Sequence, residues 1–241
     1  MLKILTNKTL DTIFPPRCFS CNETSGTSGA LCFSCWNDIN FITNNSCKVC
    51  DIPFEHEIER GTICGACITD GNNFNKAKAV FIYDDASKKL ITRFKYGDKT
   101  YPAKSFAKWM ANRGEELINE ADIICPVPLH AARMFIRKYN QSALLSNLIA
   151  KNKPIRNIPD LMIRTINNPP QAAFSQKERH KNVKNIFAVK NRYTEIVKDS
   201  KILLIDDVIT TGSTVNECAK ALKTAGAKKV FILALARTKN D

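Results

Sequence analysis

Eight of the ten cysteines fall in four Cys-x-x-Cys pairs, Cys18/Cys21, Cys32/Cys35, Cys47/Cys50 and Cys64/Cys67, separated by loops of 10, 11 and 13 residues. A Cys-x-x-Cys turn aims two thiolates at one point, and two such turns supply the tetrahedral four-sulfur set that suits zinc. Eight thiolates therefore predict two zinc ions. Four sulfurs around each ion leave no open coordination position, so both ions are expected to be structural. Adjacent pairing would put Cys18, Cys21, Cys32 and Cys35 around one ion and Cys47, Cys50, Cys64 and Cys67 around the other, as two zinc ribbons in tandem. Interleaved pairing would give a cross-brace. Hairpin-sized loops favour the tandem form, but spacing leaves both open. Disulfides need an oxidising compartment, and residues Met1 to Phe14 alternate polar with apolar side chains, unlike a secretory signal. The expected compartment is the cytoplasm. Cys125 and Cys218 stand outside the pairs in apolar patterns and are expected in the core.

A second constellation lies between Lys201 and Glu217. Ile202 to Ile205 form a continuous apolar run, the mark of a strand buried on both faces of a parallel sheet. Asp206 and Asp207 follow at once. Then comes a turn of small hydroxyl residues and one glycine, Thr210-Thr211-Gly212-Ser213-Thr214, and a helix with Val215, Cys218, Ala219 and Leu222 on one face. Thr214 and Glu217 have capping-box spacing, and Gly226 is expected to stop the helix. The turn offers free N–H groups and the positive end of a helix dipole, which favour a monophosphate. Two adjacent carboxylates at a strand end accept hydrogen bonds from two neighbouring ribose hydroxyls. Together they describe a cradle for ribose 5-phosphate.

The string LLIDDVITTGST resembles the phosphoribosyl-pyrophosphate (PRPP) motif of the type I phosphoribosyltransferases. The resemblance implies that Asp206 and Asp207 contact the ribose 2′ and 3′ hydroxyls and act as the catalytic residues. It implies that Thr210, Thr211, Gly212, Ser213 and Thr214 hold the 5-phosphate, with Val208 in the same binding set, and that Mg²⁺ accompanies PRPP.

Other elements must bring a leaving group and an acceptor to that cradle. Residues 122–128 read as another buried strand ending in Pro126-Val127-Pro128, a stiff loop at the sheet edge where open α/β sheets bind ligands. His130 and Arg133 follow it and are candidates for the pyrophosphate. An amphipathic helix is expected from about Ser142 to Ile149. Residues 164–187 mix prolines, amides and cations, as a mobile covering loop would.

The order of four Cys-x-x-Cys pairs, Phe94–Lys99 (FKYGDK), Pro126–His130 (PVPLH), Tyr139–Leu145 (YNQSALL), Pro169–Phe187 and the PRPP motif resembles the competence protein F (ComF) family over nearly the whole chain. That resemblance implies a double zinc ribbon, with a short N-terminal helix, over residues 1–75. It implies a phosphoribosyltransferase-like α/β domain, a mostly parallel sheet flanked by helices, over residues 76–241. It also implies a role in DNA uptake and natural transformation. The family pattern differs here at Lys138-Tyr139, at Asn168 and in the single arginine after His130, positions that bear on the acceptor and leave the cradle untouched.

The 241 residues carry a net charge of +13, unevenly spread. Residues 1–75 hold five basic against eight acidic side chains, whereas Arg133 to Lys201 hold 15 basic against 4 acidic. Such a basic stretch suits a partner rich in phosphates, either a polyphosphorylated small molecule or a nucleic acid. The alternative function is therefore a PRPP-sensing adaptor that binds single-stranded DNA or an uptake helicase, with Phe33, Trp36 and Phe41 as candidates for base stacking. No apolar run is long enough to cross a membrane, so no membrane insertion is expected.

Overall fold

The computed structural model describes residues 15–27, 29–96, 101–129, 139–165 and 186–239. The expected N-terminal helix, His130, Arg133 and almost all of the loop at 164–187 lie outside the described residues. The cysteine-rich segment carries two short helices, α1 (Phe33–Asn37) and α2 (Gly65–Thr69). From β1 (Lys76–Ile82) the chain runs through α3 (Asp85–Tyr96), α4 (Pro102–Arg113) and α5 (Glu115–Glu120) to β2 (Ile123–Pro126). Next come α6 (Gln141–Lys151), β3 (Arg156–Asn157), β4 (Met162–Arg164), β5 (Phe187–Val189) and α7 (Thr194–Val197). The chain closes with β6 (Lys201–Ile209), α8 (Ser213–Thr224) and β7 (Lys229–Arg237).

Five strands form one wholly parallel sheet in the order β1-β7-β6-β2-β3, while β4 and β5 pair antiparallel as a separate ribbon. Strand β6 is apolar from Ile202 to Ile205 and β7 from Val230 to Ala236 because both faces of the sheet are covered there. Leu203, Ile205, Phe231, Leu233 and Leu235 pack on one side against Leu90, Phe94, Phe106, Met110 and Leu145 of α3, α4 and α6. Ile202, Leu204, Ile232 and Ala234 pack on the other against Val215, Cys218, Ala219 and Leu222 of α8. The expected parallel sheet flanked by helices is thus present, and Cys125 and Cys218 are both fully buried in it.

Two local expectations change. The strand does not end before the acid pair: β6 runs on to Ile209 because β7 is long enough to partner it, pairing Asp206 with Ala234 and Ile209 with Arg237. Helix α8 starts at Ser213 with Gly212 as its N-cap, so Thr214 and Glu217 sit inside the first turns and form no capping box. Its end is as expected, with Gly226 in a left-handed conformation (φ 98°) just beyond it.

The cysteine-rich segment leans on the sheet. Strand β1 would be a bare edge, but Ile42, Val49 and Asn40 close it through Ile42 N–H to Val80 O (2.9 Å), Ala77 N–H to Val49 O (2.7 Å) and Ile82 N–H to Asn40 O (2.8 Å). Asp51 pins the junction. It is fully buried, and its carboxylate accepts from Ser46 Oγ (2.8 Å), Lys78 Nζ (2.7 Å), Ala79 N–H (2.9 Å) and Arg113 (2.9 Å). A buried carboxylate survives when its lone pairs are filled by cations and donors in this way. Nearby, Trp36 and Phe41 meet Trp109 of α4 edge to face, with ring centroids at 5.4 and 5.9 Å. Two of the three expected base-stacking aromatics therefore contact the junction, although Trp36 stays 44% exposed, and Phe33 is 83% exposed.

Candidate functional site

The cysteines gather as two tetrads, Cys18/Cys21/Cys32/Cys35 and Cys47/Cys50/Cys64/Cys67, with the sulfurs of each within 4.8 Å of one another. This is the tandem pairing. A tetrahedral ion with Zn–S bonds of about 2.3 Å requires sulfurs about 3.8 Å apart. Cys21 and Cys32 are 3.6 Å apart, Cys50 and Cys64 3.6 Å, and Cys47 and Cys67 3.9 Å. N–H groups also point at the sulfurs, from Ser20 to Cys18 (3.4 Å), from Cys64 to Cys47 (3.3 Å) and from Asn72 Nδ2 to Cys67 (3.2 Å). Such bonds favour thiolates and orient them for a metal. Burial raises the Cys18 thiol, but backbone donors from Cys21, Cys32 and Ser20 outweigh it and bring the group down to about 6. Both tetrads fit zinc, and four sulfurs around each ion would complete its tetrahedral set.

The second constellation sits where the strand order reverses. From β2 the chain crosses by α6 to β3 on one side; from β6 it crosses by α8 to β7 on the other. The crevice at the carboxyl ends of β2 and β6 is thus a topological switch point, the usual ligand position in open α/β sheets. Asp206 and Asp207 stand on its floor. Asp206 is largely enclosed, and burial, reinforced by the neighbouring Asp207 charge, pushes its carboxyl up to about 7. The Asp207 N–H donates to Asp206 Oδ1 (2.8 Å), and Ser142 Oγ at the start of α6 donates to the same oxygen (3.4 Å).

Thr210, Thr211, Ser213 and Thr214 are exposed, and Gly212 turns the chain with φ 79°. A Cβ at Gly212 would meet only the Ile209 side chain at 4.0 Å, so conformation and not space reserves this place for glycine. The Thr211 and Ser213 hydroxyls lie 2.8 Å apart, and the first N–H groups of α8 open beside them without intrahelical acceptors. Val208 lies between the acids and the turn in β6. The corner is open, and it presents donors to whatever occupies it.

Several residues that hold this site carried no role in the sequence reading. Tyr139 O–H donates to Phe94 O (2.7 Å) and Gln141 Nε2 to Lys95 O (3.1 Å), locking the end of α3 to the start of α6. Asn140 caps α6 by accepting from Ser142 N–H (2.9 Å) while its Nδ2 donates to Val127 O (3.2 Å), which ties down the Pro-Val-Pro loop. Lys95 Nζ reaches Asp207 Oδ2 at 3.0 Å. The signal was present in the Phe94–Lys99 and Tyr139–Leu145 strings, whose polar residues flank apolar helix faces, but their partners are remote in sequence.

The turn also faces the second tetrad. Asn73, just past α2, donates its N–H to Asn216 Oδ1 in the first turn of α8 (2.7 Å), and Arg237 at the end of β7 donates to Cys50 O. A polar cavity of about 230 Å³ separates Cys67 and Asn72 from Thr211 and Ser213.

Residues 9–68 match the family model of the double zinc ribbon domain, and residues 160–241 match that of the phosphoribosyl transferase domain. The chain is 29% identical over 227 residues to competence protein F of Haemophilus influenzae, covering 92% of this chain and 96% of that one. It is 27% identical over 236 residues to competence protein ComFC of Streptococcus pneumoniae, covering 92% and 100%. It is 28% identical over 197 residues to the DNA utilization protein YhgH of Escherichia coli K12, covering 80% and 84%.

Proposed function

We propose, from the matches to the double zinc ribbon and phosphoribosyl transferase domain models and from the likeness to competence protein F over nearly the whole chain, that the chain binds PRPP and transfers the phosphoribosyl group to a nitrogen nucleophile, in the service of DNA uptake in the cytoplasm. We assign residues 1–75 to the ribbon module and 76–241 to the transferase-like domain. The observation that carries the reading is the acid pair Asp206/Asp207 leading, through Val208, into an open hydroxyl-lined turn at a helix N-terminus, all at the switch point of a parallel sheet.

The 5-phosphate is received by the α8 N–H groups and the hydroxyls of Thr210, Thr211, Ser213 and Thr214. Asp206 and Asp207 accept from the two ribose hydroxyls and so fix the sugar ring. His130 and Arg133, which follow β2 in sequence, are assigned to the pyrophosphate. As the acceptor nitrogen forms its bond to ribose C1 with its lone pair, the C1–O bond to pyrophosphate breaks, and pyrophosphate departs with that electron pair. The nitrogen then loses a proton to solvent. Positive charge that grows on the ring lies over two carboxylates, an electrostatic contribution that exists before the substrate arrives. Mg²⁺ brought in with PRPP, near Asp206 and Asp207, would supply positive charge that neutralises the leaving group. Two zinc ions, one in each tetrad, would hold the ribbon.

Calorimetric titration with Mg²⁺ and PRPP tests the assignment. The doubly substituted D206N/D207N protein should lose binding while keeping its zinc and its circular dichroism. Undiminished affinity in that variant would remove these residues from the site. A second reading, a non-catalytic PRPP sensor that binds single-stranded DNA or a helicase, draws on the 15 basic against 4 acidic residues between Arg133 and Lys201. It requires DNA binding that weakens steeply with salt and no pyrophosphate release with any acceptor.

A further inference from the structure

Lys95 is not placed like an ordinary surface lysine. Its side chain is only 18% exposed, and its ammonium lies 3.0 Å from Asp207 Oδ2, itself 13% exposed. Its backbone is fixed on both sides: Phe94 is fully buried with its carbonyl bound by Tyr139 O–H, and the Lys95 carbonyl is bound by the buried Gln141 amide. The same α6 terminus that anchors Lys95 also presents Ser142 to Asp206. One helix end therefore sets both the cation and the hydroxyl against the acid pair.

The pair needs such a partner. Two neighbouring carboxylates with one enclosed oppose each other's ionisation. A carboxyl that stays protonated brings an O–H of its own to the place where two ribose hydroxyls must donate. The ionised form, an acceptor at both oxygens with no donor of its own, suits two donating hydroxyls better. Among the described residues, the groups that face Asp206 are Asp207 on β6, Lys95 on α3, the Ser142 hydroxyl on α6 and, on α8, the Cys218 thiol, which burial raises and keeps neutral. Of these, Lys95 is the cation, and its charge favours the ionised form.

Resting on the PRPP reading above, we propose that Lys95 is a positioning residue of this site, whose ammonium favours the ionised form of the Asp206–Asp207 pair and holds Asp207 in place to receive the ribose hydroxyls. It acts through the acids, and it is the role of the Phe94–Lys99 string that the zinc and phosphate readings leave unused.

The test compares wild type, K95M and K95R in two measurements. Carboxyl titration of the ligand-free proteins by carbon NMR reads Lys95 alone: K95M should raise the midpoint of the pair by about one pH unit or more, and K95R should not. Calorimetry with Mg²⁺ and PRPP reads the consequence: K95M should bind about tenfold more weakly at pH 7, recover most of that affinity near pH 9, and K95R should bind like wild type. A purely structural role would weaken binding equally at both pH values. Should K95M fail to retain zinc and a cooperative melt, K95Q, which keeps a donor on a shorter stem without the charge, replaces it with the same expectations. Carboxyls that titrate in the neutral variant as in wild type would overturn the proposal, as would unchanged affinity at pH 7. Failure of wild type itself to bind PRPP would remove the substrate reading, while the titration would still decide whether Lys95 controls the pair.

Discussion

Asp206 is the residue at which function and stability oppose each other. An isolated carboxyl titrates near 3.9, whereas burial, aided by the Asp207 charge, pushes this one up to about 7. The folded state therefore binds a proton that the unfolded state has released between about pH 4 and pH 7, and across that window stability falls as pH rises. Above pH 7 the charge is fully present and its burial cost is fully felt. Replacement by the neutral isostere should relieve it. D206N is expected to melt at higher temperature than wild type at pH 8, by roughly 2 kcal/mol of stability, and to show no gain at pH 4. Thermal melts at the two pH values check this; equal midpoints throughout would mean that the carboxyl is not strained by burial. The same variant should lose PRPP, a stability–function opposition of the kind expected at binding sites. This acid pair was legible in the sequence because two carboxylates closing an apolar run are anomalous in a buried strand. Lys95 and Ser142 were not legible, since a lysine late in a helix and a serine early in one are ordinary, and only the fold brings them to Asp206 and Asp207.

At the scale of the element, the unit that matters is β6, its turn and α8. Gly212 has open space around it but a φ of 79°. A side chain there costs about 1 kcal/mol in the left-handed region, and the turn can escape that cost by opening. G212A should therefore keep its fold and zinc content while binding PRPP at least tenfold more weakly by calorimetry; wild-type affinity would separate the turn geometry from phosphate binding. The apolar run, the turn and the helix face of Val215, Cys218, Ala219 and Leu222 were all readable from periodicity. The helix start was not, because Thr214 and Glu217 imitate a capping box while the backbone conformation at Gly212 decides the cap. The strand end was misread for a different reason: strand length is set by the partner, and nine-residue β7 carries β6 past its acids. Gly114 was equally silent. A Cβ there would stand 2.6 Å from Leu233, so glycine lets the α4–α5 corner touch the sheet.

Across the whole molecule, the ribbon is part of the transferase wall. It closes the β1 edge, inserts Asp51 beneath Lys78 and Arg113, and reaches α8 through Asn73 and Asn216. The four Cys-x-x-Cys pairs foretold metal sites but not this docking, since Asp51 is one of eight acids in an acidic segment until the fold buries it. The second tetrad lies nearer the turn than the first, and the two are expected to differ when broken. C47S should reduce bound zinc from two ions to one per chain and raise hydrogen exchange along β1 and the first turn of α8. C21S, in the more exposed tetrad, should leave α8 exchange unchanged. Identical exchange in both variants would mean that the ribbon and the phosphate turn are energetically independent.

The central claim is that the corner between β6 and α8 receives a ribose 5-phosphate. Crystals grown with Mg²⁺ and PRPP test it most directly. Density for a phosphoryl group within hydrogen-bond reach of Thr211, Ser213 and Thr214, with two sugar hydroxyls on Asp206 and Asp207, is the expected result. A phosphoryl group bound elsewhere, with this turn occupied by solvent alone at saturating PRPP, would contradict it.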